Sequence, residues 1–303
     1  MKRFAFLGLV AAVALLLFGQ IEVKIHAEQS RAKIYAQQLV DDAIKRHPDV
    51  LVLAMHVTPP NSTDNVIIAS NIGRIGKKAD EDDLAVIKTG APKLEVNKTG
   101  DRFEVELPLL DASRRTIGAL GVVFPYKAGD DKAKRQKQAE QIRDELARRI
   151  SHIENLMEPP RVDAQTPINT YAQKLVDETM AKYPELVVLV MHVTPPHKPD
   201  TDNVILGSSI GRIGKKADED DLRVIRTGKT NLEVNSTGER FEVELALQAK
   251  TGNTVGALGV VFPYKAGDDK TKRQKQAEQI RDELRKRIPS AAKLFESAAR
   301  SGS

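Results

Sequence analysis

The sequence predicts an α+β fold in two tandem copies, each an antiparallel sheet of about five strands with a long N-terminal helix and a closing C-terminal helix. Three observations predict it: an internal repeat, short alternating apolar segments that end in turn residues, and short turns rather than helical crossovers between successive strands.

The repeat comes first because it sets the domain count. Tyr35 to Pro60 recurs as Tyr171 to Pro196 with more than half of the positions identical. IGRIGKKADEDDL stands unchanged at 72–84 and 210–222, and GALGVVFPYKAGDDK at 118–132 and 256–270. Two copies of this size are globular domains rather than solenoid repeats. The boundaries read as module 1 over 28–153, a proline-interrupted linker over 154–169, module 2 over 170–290 and a tail over 291–303.

Within module 1 the elements follow in order. Ala32, Tyr35, Ala36, Leu39, Val40 and Ile44 recur at three- and four-residue steps, which predicts a helix over 28–46 ended by Pro48. Val50 to Thr58 is a strand stopped by Pro59-Pro60, and Asn65 to Asn71 returns as its hairpin partner. Gly73 to Asp83 turns to glycine, lysine and acid, with Asp80 to Asp83 placed to cap a short helix reaching about Lys88. Strands follow near Leu94 to Asn97, at Arg102 to Leu107 and at Thr116 to Phe124. Gly129-Asp130-Asp131 then opens a long basic helix whose Ile142, Leu146, Ile150 and Ile153 share one face.

Composition bounds the chemistry. Hydrophobic residues make up 41% of the 303 positions, charged residues 29% and aromatics 4%, with no tryptophan, so the cores are aliphatic and any ligand site is poor in stacking surfaces. The absence of cysteine excludes disulfides, thiolate metal sites and cysteine catalysis. Lys2 and Arg3 precede an apolar run from Phe4 to Phe18, the order of a signal peptide or an N-terminal anchor, and either reading places the remainder outside the cytoplasm, periplasmic or extracellular. Membrane association then rests on this segment alone, if it is uncleaved.

The leading helix, the segment IIASNIGRIGKKADEDDL and the strand pair EVELPLLDASRRTIGALGVVF resemble the Cache group of extracytoplasmic PAS-like sensor domains, over roughly 30–153 and 168–290. The resemblance implies a sensory binding role, with the ligand lodged between the sheet and the segment joining strands two and three. It therefore points to Ser70, Asn71 and Arg74 in module 1 and to Ser208, Ser209 and Arg212 in module 2. Such domains commonly drive a cytoplasmic output module, so a membrane receptor or kinase is the implied partner.

Other candidates come from the residues themselves. His56 and His192 close the first strand of each copy, either as a ligand contact or as a half-buried histidine bonded to the turn. The GRIGKK segments, with Lys77 and Lys215, either offer backbone amides and cations to an anion or form a solvated hinge. Tyr126 and Tyr264 either lid a pocket or pack on the closing helix. Alternation sets Glu104 and Glu106 opposite Phe103, Val105 and Leu107, facing solvent by default. One histidine per module without neighbouring ligands makes no metal site, and ADEDD reads as a helix cap rather than a calcium loop. No cofactor is implied.

No GxSxG, HExxH or comparable constellation supports catalysis. The net charge of +5 is interleaved with acids and lacks an aromatic platform, which argues against nucleic acid. The sequence thus predicts an exported protein binding a small polar or anionic molecule in each module, with a structural adaptor that docks a membrane partner as the rival reading.

Overall fold

The computed structural model describes residues 34–160, 162–163 and 165–298; the expected signal or anchor segment and residues 28–33 of the helix expected over 28–46 lie outside them. Module 1 runs α1 (Tyr35–Arg46), β1 (Val52–Val57), β2 (Val66–Ser70), α2 (Glu81–Thr89), β3 (Lys93–Val96), β4 (Arg102–Leu110), β5 (Thr116–Pro125) and α3 (Lys132–Ala147), followed by a short α4 (Ile153–Met157). Module 2 repeats the order as α5 (Tyr171–Lys182), β6 (Val188–Val193), β7 (Val204–Ser208), α6 (Glu219–Thr227), β8 (Asn231–Val234), β9 (Arg240–Gln248), β10 (Thr254–Pro263), α7 (Lys270–Arg287) and α8 (Ala291–Phe295).

Each sheet has five antiparallel strands, in the orders β2-β1-β5-β4-β3 and β7-β6-β10-β9-β8. The α+β expectation holds in both halves. Alternation decides the two faces of each sheet. Leu53, Met55 and Val57 of β1, Phe103, Val105 and Leu107 of β4, and Leu120, Val122 and Phe124 of β5 form one apolar face, buried under α1 and α3 through Leu39, Val40, Ile142 and Leu146. Each such side chain contributes about 1.5–3 kcal/mol through removal from water. His56, Glu104 and Glu106 therefore point to the opposite face, and α2 packs over that face against β4 and β5.

Two local features position α2. Asp80 accepts from the amides of Asp82 and Asp83, and Asp83 returns a bond to the Asp80 amide, a reciprocal capping box. Gly90 closes the helix in the left-handed region at φ 69°, which glycine adopts without strain. Asp218, Asp221 and Gly228 repeat the arrangement around α6. The basic helix is shorter than its periodicity suggests: α3 ends at Ala147, so Ile150 enters the core from a turn and Ile153 packs from α4.

The modules meet along one side of module 2. Glu158 accepts from Arg212 Nε at 2.5 Å and from Nη2 at 2.8 Å. Asn155 Nδ2 donates to the Ile210 carbonyl at 3.0 Å, and the Val162 amide to the Ile213 carbonyl at 2.7 Å. Arg115 bridges the modules by pairing with Asp111 at 2.7 Å and Glu239 at 2.6 Å. Among the described residues no helix is long and apolar enough to cross a membrane.

Candidate functional site

The face of each sheet beneath α2 or α6 carries the charged residues, because β-strand alternation reserves the other face for the core. In module 2 this face opens into a cavity of about 830 Å³. His192 of β6, Asp218 and Asp221 at the N-terminus of α6, and Glu242 and Glu244 of β9 stand on its wall. Module 1 supplies the far side through Arg115, Ser151 and Ile153. The cavity is thus built by one module and closed by the end of the other.

The electrostatics are acidic and poorly solvated. Burial, then the charges of Glu244 and Glu233, pushes the Glu242 carboxyl up to about 7. Burial pushes Glu244 up to about 7 as well, against the bond it accepts from Asn231 Nδ2 at 3.0 Å, with Asp221 and Asp218 adding like charge. Burial raises Asp221 to about 6 and lowers His192 to about 4. His192 Nδ1 lies 3.3 Å from Asp221 Oδ2 yet makes no aligned hydrogen bond; burial, which disfavours the charged form of each partner, dominates over their attraction. Arg115, Arg212, Lys215, Lys216 and Arg240 stand on the same wall, yet burial still holds Asp221, Glu242 and Glu244 above the ordinary carboxylate range.

Module 1 carries the same residues as His56, Asp80, Asp83, Glu104 and Glu106. Burial raises both glutamates, Glu106 to about 8, with Asp83 and Glu104 adding to its shift. Burial lowers His56, whose Nδ1 is 3.2 Å from Asp83 Oδ2.

The structure treats the sequence candidates unequally. His192, Lys215 and Arg212 line the cavity, but the Arg212 guanidinium is occupied by Glu158. Arg74, its counterpart, is exposed and has no side-chain partner among the described residues. Lys77 is exposed near the acids and acts on His56 and Asp80 through its charge.

Several expectations are corrected. Asn71 is spent on the sheet, accepting from the Leu53 amide at 2.9 Å and donating to the Leu51 carbonyl at 3.0 Å. Ser209 likewise accepts from the Leu189 amide, and Ser70 and Ser208 accept from the Ile72 and Ile210 amides. These side chains stitch strand ends together, although Ser208 and Ser209 also border a second cavity, of about 1010 Å³, between α1 and α5. Tyr126 and Tyr264 lie on the helix side of the sheets, each 6.0 Å from Phe103 or Phe241 between ring centroids, with Lys132 and Lys270 above them. Within GRIGKK the Gly76 and Lys77 amides are spent on the Ile67 and Arg74 carbonyls, and Gly214 and Lys215 repeat this on Ile205 and Arg212, so these amides are not free for an anion.

Glu104 and Glu106 do not face open solvent as expected; α2 covers their face and half-buries them. The carboxylates taken for scattered caps converge with them. Alternation could have found this, since it places His56 and both glutamates on the face opposite the core. It could not show that the short helix lies across that face.

Comparison with known proteins adds structural likenesses. No family model matches the chain, and no curated protein does. Among solved structures, a GAF sensor protein from Burkholderia vietnamiensis matches at 12% identity and TM-score 0.32 over 55% of this chain and 95% of its own. The RsbU periplasmic domain from Chlamydia trachomatis matches at 8% identity and TM-score 0.25 over 80% and 84%. The chromophore-binding domain of Stigmatella aurantiaca bacteriophytochrome matches at 9% identity and TM-score 0.26 over 77% and 92%. At this level of similarity none of them carries its ligand or activity to this chain.

Proposed function

We propose that the chain is an exported, Cache-like sensory binding protein whose module 2 cavity holds a small organic cation bearing an ammonium or related group. The observation that carries the reading is the set Asp218, Asp221, Glu242 and Glu244 on the wall of one cavity. A ligand ammonium replaces the protons that burial favours on Asp221, Glu242 and Glu244, and gains charge-assisted hydrogen bonds in a low-dielectric hollow. The anion that the sequence suggested meets Lys215 but fewer free guanidinium donors, because Arg212 and Arg240 are engaged by Glu158 and by the Ser151 carbonyl. Binding rather than catalysis is proposed, as no hydroxyl is hydrogen-bonded to either His56 or His192 among the described residues.

Dye-based thermal shift on the full chain tests this. Stabilisation by amines or quaternary ammonium compounds, lost in Glu242→Gln/Glu244→Gln, supports it. Stabilisation by dicarboxylates alone contradicts it.

The adaptor reading has one observation of its own. Leu51, Ile72 and Leu84 are 40%, 45% and 49% exposed in module 1, whereas their counterparts Val187, Ile210 and Leu222 are buried in module 2. Large apolar residues exposed in one module and covered in the other suit a partner. Ile72→Asp/Leu84→Asp abolishing capture of the protein by its membranes, with ligand-induced stabilisation intact, would favour it.

A further inference from the structure

The two modules use the same acidic residues in different arrangements. In module 1 the carboxylate oxygens of Asp80, Asp83 and Glu106 lie within 4.8 Å of one another. Their counterparts Asp218, Asp221 and Glu244 form no such convergent group among the described residues. One sequence difference stands beside the change. Asn231 holds Glu244 by a 3.0 Å hydrogen bond, whereas module 1 has Lys93 at that position, and Lys93 pairs with Asp82 instead. Glu106, without that bond, converges with Asp80 and Asp83.

We propose that module 1 holds a hard divalent cation of the Ca²⁺ type, bound by Asp80, Asp83 and Glu106. Carboxylate oxygens gathered within 4.8 Å of one another can be reached together by an ion with metal–oxygen distances of about 2.4 Å, and an all-protein carboxylate set suits Ca²⁺ better than Mg²⁺, which keeps most of its waters. Asp80 answers the helix amides with Oδ1, at 3.2 Å from the nitrogens of Asp82 and Asp83, and keeps Oδ2 for the ion. Two further observations point to a missing occupant. Glu106 Oε2 is buried without a hydrogen-bond partner. His56, 7% exposed, directs an equally unpartnered Nδ1 at Asp83 Oδ2 from 3.2 Å. His56 acts as a positioning residue: with the ion bound, Nδ1, already 3.2 Å from Asp83 Oδ2, donates to that carboxylate as outer groups do around metal ligands. Water completes the coordination on the exposed Asp80 side. This site is independent of the organic cation proposed for module 2.

Calorimetric titration of chelator-treated full chain with Ca²⁺ tests the proposal. One saturable equivalent is expected. Glu106→Gln, and Asp80→Asn, which still caps the helix, each weaken it about tenfold or more, while Glu244→Gln leaves it unchanged. Far-UV circular dichroism confirms that each variant is folded without the ion. His56→Gln is expected to weaken Ca²⁺ less than Glu106→Gln does. Absence of Ca²⁺ binding, binding indifferent to both module 1 carboxylate variants, or equal loss in Glu244→Gln overturns the site. Binding of Zn²⁺ without Ca²⁺, abolished by His56→Gln, overturns its hard-cation chemistry.

Discussion

His192 Nδ1 and Asp221 Oδ2 stand 3.3 Å apart on the wall of the module 2 cavity, and His56 and Asp83 repeat the pair at 3.2 Å in module 1. Burial holds His192 down to about 4 and Asp221 up to about 6, so around pH 6 the imidazole is neutral and the acid is half ionised. A cation entering beside them favours the ionised acid. Its binding is therefore expected to release protons near pH 6–7, where Asp221, Glu242 and Glu244 titrate, and to tighten as pH rises through that range. Titration calorimetry in two buffers of different ionisation enthalpy measures the release; proton uptake would contradict it.

Stability should fall as pH rises from about 4.5 to 7.5, the span between the unfolded and folded values of Glu242 and Glu244. Glu242 and Glu244 have folded-state values near 7, above the ordinary 4.5, so the folded state binds more protons than the unfolded one and loses that advantage as they ionise. His192 is depressed to about 4 from 6.5; its opposite contribution grows between those values and is constant above them. The Glu242→Gln/Glu244→Gln protein is expected to show a flatter melting temperature across this window and to gain on the order of 2 kcal/mol at pH 8 after solvent screening. A wild-type melting temperature that rises steadily to pH 8 contradicts the assignment.

Arg212 and Arg74 occupy identical loops, both at positive φ, 64° and 62°. Only Arg212 is engaged, by two bonds to Glu158 in a partly buried setting. Chemical denaturation is expected to show that Arg212→Ala costs about 1–2 kcal/mol and Arg74→Ala less than about 0.5 kcal/mol.

The glycines of the same loops give a steric version of the comparison. A Cβ at Gly211 would come within 2.9 Å of the Tyr35 ring, and one at Gly214 within 2.7 Å of the Asp163 Cβ, whereas at Gly73 and Gly76 it meets nothing within 4 Å. All four have φ between 77° and 86°, so alanine strains each backbone by about 1 kcal/mol. At Gly211 and Gly214 overpacking adds about 1–3 kcal/mol. Equal losses at the four positions in urea denaturation would show that the modules do not pack as described.

Much of the architecture was readable from local pattern. Pro59 and Pro60 end β1, Asp80 and Asp218 cap their helices, and the alternation of Arg102 to Leu107 places Phe103, Val105 and Leu107 on the core side. The site was only half readable. His192 and Lys215 were named, but Glu104 and Glu106, the module 1 counterparts of Glu242 and Glu244, were given to solvent, because alternation assigns a face and not what covers it. Asp83 was read as a cap, which it is; its second role depends on β1 passing beneath the helix, a long-range contact invisible in the motif. The serines and Asn71 misled because short polar side chains at strand ends satisfy backbone groups as readily as ligands. The closure of the module 2 cavity by Arg115 and Ser151 arises from tertiary docking that no repeat alignment encodes.

The most direct test is mass spectrometry of small molecules released on denaturing the purified full chain, beside the Glu242→Gln/Glu244→Gln protein prepared identically. An organic cation recovered near one equivalent from the wild type and depleted from the variant is the expected result. An anionic carboxylate recovered equally from both would contradict a cation-selective cavity in module 2.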